Sequence, residues 1–296
     1  MIVACAANFQ QFMDPGATER NMETLAPVRA QEKSAGSRFR ELLSLLRALF
    51  FIDLLIYFYT VICGAASLIG SLFDSEGRWQ HGCARLWSRL ILKTSRIRLK
   101  VEGLENVPRD RTLIFCANHP SAMDIPILFV CLPVQFRFVA KRSLFNIPFL
   151  GWHLWRSGHI PVERDKPHKA MKSLDQAAER IRAGCSVVLF PEGHRSRDGS
   201  MGAFKSGSFY LAVKSGAPVI PITISGSRAV LKPDSLHVRP GVVEIIIHPQ
   251  ISTEGLTVDD VNSLSACVRE RILSRFQPEV VAAPPLSADD SHHPFS

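Results

Sequence analysis

From residue 96 onward, short apolar runs alternate with segments of helical period, and that alternation limits the fold more than any other feature of the chain. Ile97, Leu99 and Val101 are separated by charged residues, the period of a half-exposed strand. Residues 112–117 and 136–140 are apolar runs that predict strands, with a helix between them over 124–132. Residues 169–183 carry a helical pattern that stops at Gly184. Residues 186–190 predict a buried strand, 206–215 a helix, and 219–225 and 242–248 two more strands; residues 258–276 predict a closing helix. Strands alternating with helices predict an α/β domain with a mainly parallel sheet flanked by helices on both faces.

An N-terminal membrane-associated helical motif is expected ahead of that domain. Residues 48–73 are apolar apart from Asp53, long enough for a helix to cross a bilayer. Arg29, Lys33, Arg38, Arg40 and Arg47 lie upstream, and Arg78, Arg85, Arg89 and Lys93 downstream. Basic residues are balanced, so the positive-inside rule assigns no orientation. A one-leaflet or re-entrant element, a single span and a buried helix all stay open. In the next segment Trp79, Cys83, Leu86, Trp87, Leu90 and Ile91 share one helical face opposite Arg78, Arg85, Arg89 and Lys93. That pattern predicts a helix at headgroup level, its cations on anionic lipid, with packing on the domain core as the alternative. The expected divisions are a disordered segment at 1–37, the anchoring motif at 38–95, the α/β domain at 96–277 and a disordered tail at 278–296. The tail's His292 and His293 read as solvated rather than metal-binding.

The formal net charge of +8 suits an anionic partner: nucleic acid, an acidic lipid surface or a phosphorylated substrate. Seven scattered cysteines without a C-x-x-C pattern suit a reducing compartment.

Chemistry concentrates where predicted strands end. Asn118, His119, Pro120, Ser121, Ala122, Met123 and Asp124 follow the strand at 112–117 and open a helix, the place where α/β sheets hold ligands. His119 and Asp124 are close enough in sequence to meet across a turn. No Ser or Cys nucleophile signature accompanies them, and no G-x-S-x-G elbow occurs, which counts against a membrane-bound esterase. A His–Asp pair alone suits a general base that activates a substrate hydroxyl, imidazole being the side chain that ordinarily titrates near neutrality. Lys141, Arg164 and Arg195 fall in further clusters at predicted strand ends and could form one cationic pocket, in which the arginines suit phosphate. Residues 202–208 lack the Lys a P-loop needs after its second Gly, and no further ligand has metal-site spacing around His119 and Asp124; neither a nucleotide nor a metal is expected.

Together these blocks resemble the glycerolipid acyltransferases, the lysophosphatidic acid acyltransferases in particular. The likeness rests on an N-H-x-x-x-x-D block at Asn118 to Asp124 with Ser121 in its usual place, a G-x-I-x-x-x-R block at Gly158, Ile160 and Arg164, and an F-P-E-G-x-R-S block at Phe190 to Ser196. An apolar block at Ala217 to Ile222 and an F-x-x-G element at Phe204 to Gly207 complete it. The family usually has Thr where His194 stands, which opens the question of the head group. The resemblance implies that His119 takes the proton from a lysophospholipid hydroxyl attacking an acyl thioester, and that Asp124 orients the ring. Lys141, Arg164 and Arg195 would hold the substrate phosphate; Asn118, Ser121, Gly158, Glu192, Gly193 and Ser196 would shape the pocket. It implies acyl-CoA or acyl-ACP as cosubstrate with no cofactor. Its partners would be anionic lipid and acyl carrier protein, not nucleic acid, at the cytoplasmic face of a membrane such as the bacterial inner membrane. The rival readings are an acyltransferase for another lysolipid, such as lyso-ornithine lipid, and a non-catalytic protein that binds a membrane surface.

Overall fold

The computed structural model describes residues 36, 52–147, 149–163, 167–195, 199–233, 235 and 238–277. The expectations for the tail at 278–296 and for nearly all of 1–51 therefore lie outside the described residues, as do Arg164 and Ser196.

Two helices lead, α1 (Asp53–Gly70) and α2 (Arg78–Thr94). The domain then runs β1 (Ile97–Glu102), β2 (Ile114–Ala117), α3 (Asp124–Cys131), β3 (Arg137–Lys141), α4 (Leu150–Arg156), β4 (Ile160–Val162) and α5 (Pro167–Arg182). It continues with β5 (Val187–Leu189), α6 (Ser206–Ser215), β6 (Val219–Ser225), α7 (Ser227–Val230), β7 (Gly241–Ile247) and α8 (Val261–Leu273). The expected closing helix opens as a 3-10 turn at Val258–Asp260, held by a reciprocal capping box between Thr257 and Asp260.

The seven strands form one sheet in the order β1-β7-β6-β2-β5-β3-β4. Neighbours pair in parallel except β6 and β7. The sheet is thus mainly parallel, with helices on both faces, as the alternation predicts. β2 is buried throughout because it is covered from both sides. Phe115 and Ala117 meet Val188, Ile220 and Ile222 on the face toward α2 and α3. Ile114 and Cys116 meet Val187, Leu189 and Val219 on the face toward α5, α6 and α8. One residue of slip would exchange these two sets, so the register is firmly fixed.

On α2, Trp79 and Leu86 are exposed, as are Arg78, Arg89 and Lys93, while the opposite face packs on the domain. That inward face is largely polar: Gln80, His81 and Ser88 are buried with Ile91 and Leu92. The His81 ring meets Phe129 and Phe136 edge-on at 5.3 and 5.1 Å. Arg85, grouped by sequence with the outward cations, turns to the end of α3, where its Nε donates to Phe129 O at 3.1 Å and its guanidinium also reaches Leu132 O. Carbonyls at a helix C-terminus lack intrahelical donors, and an Arg supplies them. The Trp edge is tied to α1 instead, by Trp79 Nε1 to Ala66 O and Trp87 Nε1 to Thr60 Oγ1, both 2.9 Å.

The bare apolar surface therefore belongs chiefly to α1, where Leu54, Tyr57, Phe58, Val61, Ile62 and Ile69 are exposed. Among the described residues α1 is the one helix long and apolar enough to cross a membrane. Both its ends are fastened to the α/β domain. Ile52, at its start, is buried in the core, and Ser67 Oγ, near its end, lies 3.2 Å from His153 Nδ1.

Candidate active site at the carboxyl ends of β2 and β5

β2 stops at Ala117, and Asn118 continues its ladder with a side chain. Asn118 Nδ2 donates to Ile224 O while Oδ1 accepts from Ile224 N–H, both at 2.8 Å. This two-way clamp to β6 spends the amide on backbone and fixes where the next residue emerges. The backbone N–H of His119 donates to Glu192 Oε1 at 2.8 Å, and Glu192 Oε2 accepts from Gly202 N–H at 2.9 Å. Glu192, only 2% exposed, thus ties the turn after β2 to the loop after β5.

Asp124 is the first residue of α3, where the helix dipole favours a negative charge, and it is fully buried. His119 Nδ1 lies 2.8 Å from Asp124 Oδ2, which also accepts Ser121 N–H at 2.8 Å. Ser121 Oγ donates to Leu231 O at 2.7 Å and accepts Met123 N–H at 3.2 Å. A carboxylate can only accept, so the ring carries its proton on Nδ1 and keeps the lone pair of Nε2 free. The imidazole also stacks on Phe190, with ring centres 3.9 Å apart and planes 15° apart; Phe190 in turn stacks on Phe138 at 5.9 Å. Carboxylate and aromatic together fix the ring in rotation and in tilt. The result is an oriented imidazole beside a cleft.

The remaining site candidates divide into two groups. Lys141 is the last residue of β3 and Arg195 lies in the turn after β5, so two adjacent strands deliver a cation each at their carboxyl ends. Gly193 and Gly158 serve close approach. Gly193 has φ +77°, and a Cβ there would lie 2.9 Å from the end of the Lys205 side chain. Gly158 has φ +73°, its carbonyl accepts from Arg180 at 2.8 Å, and a Cβ would lie 3.2 Å from Arg137 Nε. His194 is exposed, with Nδ1 3.4 Å from Arg195 O. A cavity of about 210 Å³ opens beside Phe190, the ring that stacks on His119, and is lined by Val139, Val162, Glu163, Gly193 and Lys205 among others.

Two contributors were not read from the sequence. Phe190 begins the F-P-E-G run, yet nothing in the run tells which ring it meets. Lys205 lies inside F-x-x-G, and its approach to Gly193 depends on the path of residues 199–205.

The acyltransferase family model matches residues 98–225. The chain is 37% identical over 183 residues to a chloroplastic 1-acyl-sn-glycerol-3-phosphate acyltransferase of Arabidopsis thaliana, covering 61% of this chain and 51% of that one. It therefore spans about half the length of that relative. A 1-acyl-sn-glycerol-3-phosphate acyltransferase of Saccharomyces cerevisiae is 31% identical over 219 residues, 73% of this chain and 71% of its own. The crystal structure of the 1-acyl-sn-glycerophosphate acyltransferase PlsC from Thermotoga maritima superposes with a TM-score of 0.65 at 28% identity, covering 79% of this chain and 94% of that one. With the His–Asp turn, the F-P-E-G loop and the sheet order in place, the chain belongs to the 1-acyl-sn-glycerol-3-phosphate acyltransferase family.

Proposed function

We propose that the protein transfers an acyl chain from an acyl thioester to the free hydroxyl of lysophosphatidic acid, giving phosphatidic acid. The observation that carries this reading is the 2.8 Å contact of His119 Nδ1 with buried Asp124 Oδ2, in a chain of this family. In the reaction the substrate oxygen attacks the thioester carbonyl carbon as His119 Nε2 takes the hydroxyl proton. The tetrahedral intermediate collapses with cleavage of the C–S bond, and the imidazolium returns the proton to the departing sulfur. Asp124 stabilises the imidazolium between these steps without itself being protonated, the part a carboxylate plays in hydrolase triads.

Lys141, Arg164 and Arg195 hold the substrate phosphate, turning binding into orientation of the hydroxyl. Glu192, Asn118 and Ser121 support that arrangement through the backbone they grip. The acyl donor is carried by coenzyme A or acyl carrier protein, and the reaction uses no cofactor. The lysolipid stays in its leaflet, so the enzyme works at the cytoplasmic face of a membrane containing anionic lipid. The fastening of α1 at both ends favours a helix that lies within one leaflet over one that crosses.

Purified protein given lysophosphatidic acid and a panel of acyl thioesters tests the reading. Wild type should form phosphatidic acid, and His119→Ala should lose at least about two orders of magnitude in rate, the usual scale for a general base. An unchanged rate in the variant refutes the role of His119. A second reading, an acyltransferase for another lysolipid, draws on exposed His194 beside Arg195 in place of the usual Thr. Competition between lysolipids of different head group separates the two.

A further inference from the structure

We propose that residues 144–147 and 149–155, in the crossover between β3 and β4, form a second bilayer-inserting element that enters the same leaflet as α1. Membrane action is taken from the proposed function; the element and its placement are new. β3 ends at Lys141, a 3-10 helix follows at Arg142–Asn146, and α4 then leads back toward β4.

The element is rigid on its inner side. Phe145 is buried, its ring meets Trp155 edge-on at 5.0 Å, and Gly151 packs so closely on the Phe145 carbonyl that a Cβ would lie 2.1 Å from its oxygen. Its outer side is apolar and bare: Phe149 is 71% and Trp152 57% exposed, with Leu144, Ile147, Leu150 and Trp155 also exposed. So much adjoining aromatic and aliphatic surface marks an interaction site.

The surroundings of this surface identify the occupant as lipid. This surface continues that of α1, because His153 meets Ser67 at 3.2 Å and Arg156 Nε donates to Ser71 Oγ at 3.1 Å. The last turn of α1 and the residues after it, which flank Ser71, add exposed Ile69, Leu72 and Phe73. From Lys141 to Gly158 there is no acidic residue, and Arg142 lies 5.4 Å over the Trp155 ring. Tryptophans beside arginines suit the level of anionic headgroups. Insertion here would hold the Lys141 end of β3 in the plane where substrate phosphates lie. α1 fastens the domain to the membrane, and the crossover sets its tilt.

The experiment uses full-length protein with phosphatidylcholine–phosphatidylglycerol vesicles. In a Trp79→Phe, Trp87→Phe background the remaining tryptophans are Trp152 and Trp155, and brominated lipid should quench them. The double variant Phe149→Ser, Trp152→Ser should partition at least about tenfold more weakly, from the apolar surface it removes. Its turnover of a short-chain, water-soluble lysophosphatidic acid should stay at the wild-type value, which also shows that it folds. Unquenched emission, or partitioning within threefold of wild type, overturns the proposal. If the wild type acylates no lysolipid while quenching persists, the proposed activity fails and the insertion stands. If quenching fails while turnover of lysophosphatidic acid still requires His119, the insertion alone fails.

Discussion

Asp124→Asn offers the sharpest separation of chemistry from architecture. Ser121 N–H donates to Asp124 Oδ2 at 2.8 Å, so an Asn must place its carbonyl oxygen there to avoid a donor facing a donor. That same oxygen then still accepts from His119 Nδ1, and both tautomer and ring orientation survive. What disappears is the negative charge. Opposite charges about 4 Å apart at an effective dielectric near 20 attract by roughly 4 kcal/mol, equivalent to about three orders of magnitude in rate. The amide dipole keeps part of this, so kcat/KM should fall between about 10² and 10³. Asp124 Oδ1 is buried with no hydrogen-bond partner among the described residues. The Asn NH2 would take that partnerless position, and because a buried unpaired donor costs about 1–3 kcal/mol the Asn variant should also lose some Tm. The assay is phosphatidic acid formation by wild type, Asp124→Asn, His119→Ala and the double variant. Groups that act as one unit are non-additive, so the double variant should be no slower than His119→Ala alone. A loss under tenfold in Asp124→Asn, or losses that multiply in the double variant, would refute the account.

Asn118→Ala should strand both backbone groups of Ile224 at a buried site, lowering stability by about 2–6 kcal/mol, since each unpaired group costs about 1–3 kcal/mol. Denaturant titration measures it, and a loss below about 0.5 kcal/mol contradicts the clamp. Acid should destabilise the fold through buried histidines, His159 and His248 among them. Burial first, then His153 and Arg137, push His159 down to about 3; burial, then Arg271 and Arg275, push His248 down to about 4. Above the ordinary value near 6.5 both are neutral folded and unfolded, so no stability depends on them there. Below it the unfolded chain binds protons that the folded chain resists, and stability falls until the pH reaches the folded values. At pH 5 each histidine should cost roughly 2 kcal/mol, at about 1.36 kcal/mol per pH unit. Equal unfolding free energies at pH 7 and pH 5 would contradict this.

Much of the domain was legible because burial on both sides leaves plain apolar runs. Residues 206–215 and 219–225 coincide with α6 and β6. The crossover between β3 and β4 was not legible as a helix. α4 has only seven residues, and its tryptophans face outward, so no core-facing period appears. The spacing of His119 and Asp124 showed that they could meet, because a five-residue turn is a local matter. The tasks of Asn118, Ser121 and Glu192 are not local. Their partners include Ile224, Leu231 and the N–H groups of His119 and Gly202, which only the folded chain brings near. Arg85 misled for the same reason, since its position on a basic helical face says nothing of the carbonyls at the end of α3.

The fastening of α1 at both ends bears on how the protein would read its surroundings. A helix secured at one end swivels with the lipid around it; one riveted at two points moves only with the body that carries it. On the proposed function, the height of the His119–Asp124 turn above the hydrocarbon would then be a property of the polypeptide. Thinner or thicker bilayers would be met at the same immersion, and turnover would follow which lipids are present more than how deep the membrane is.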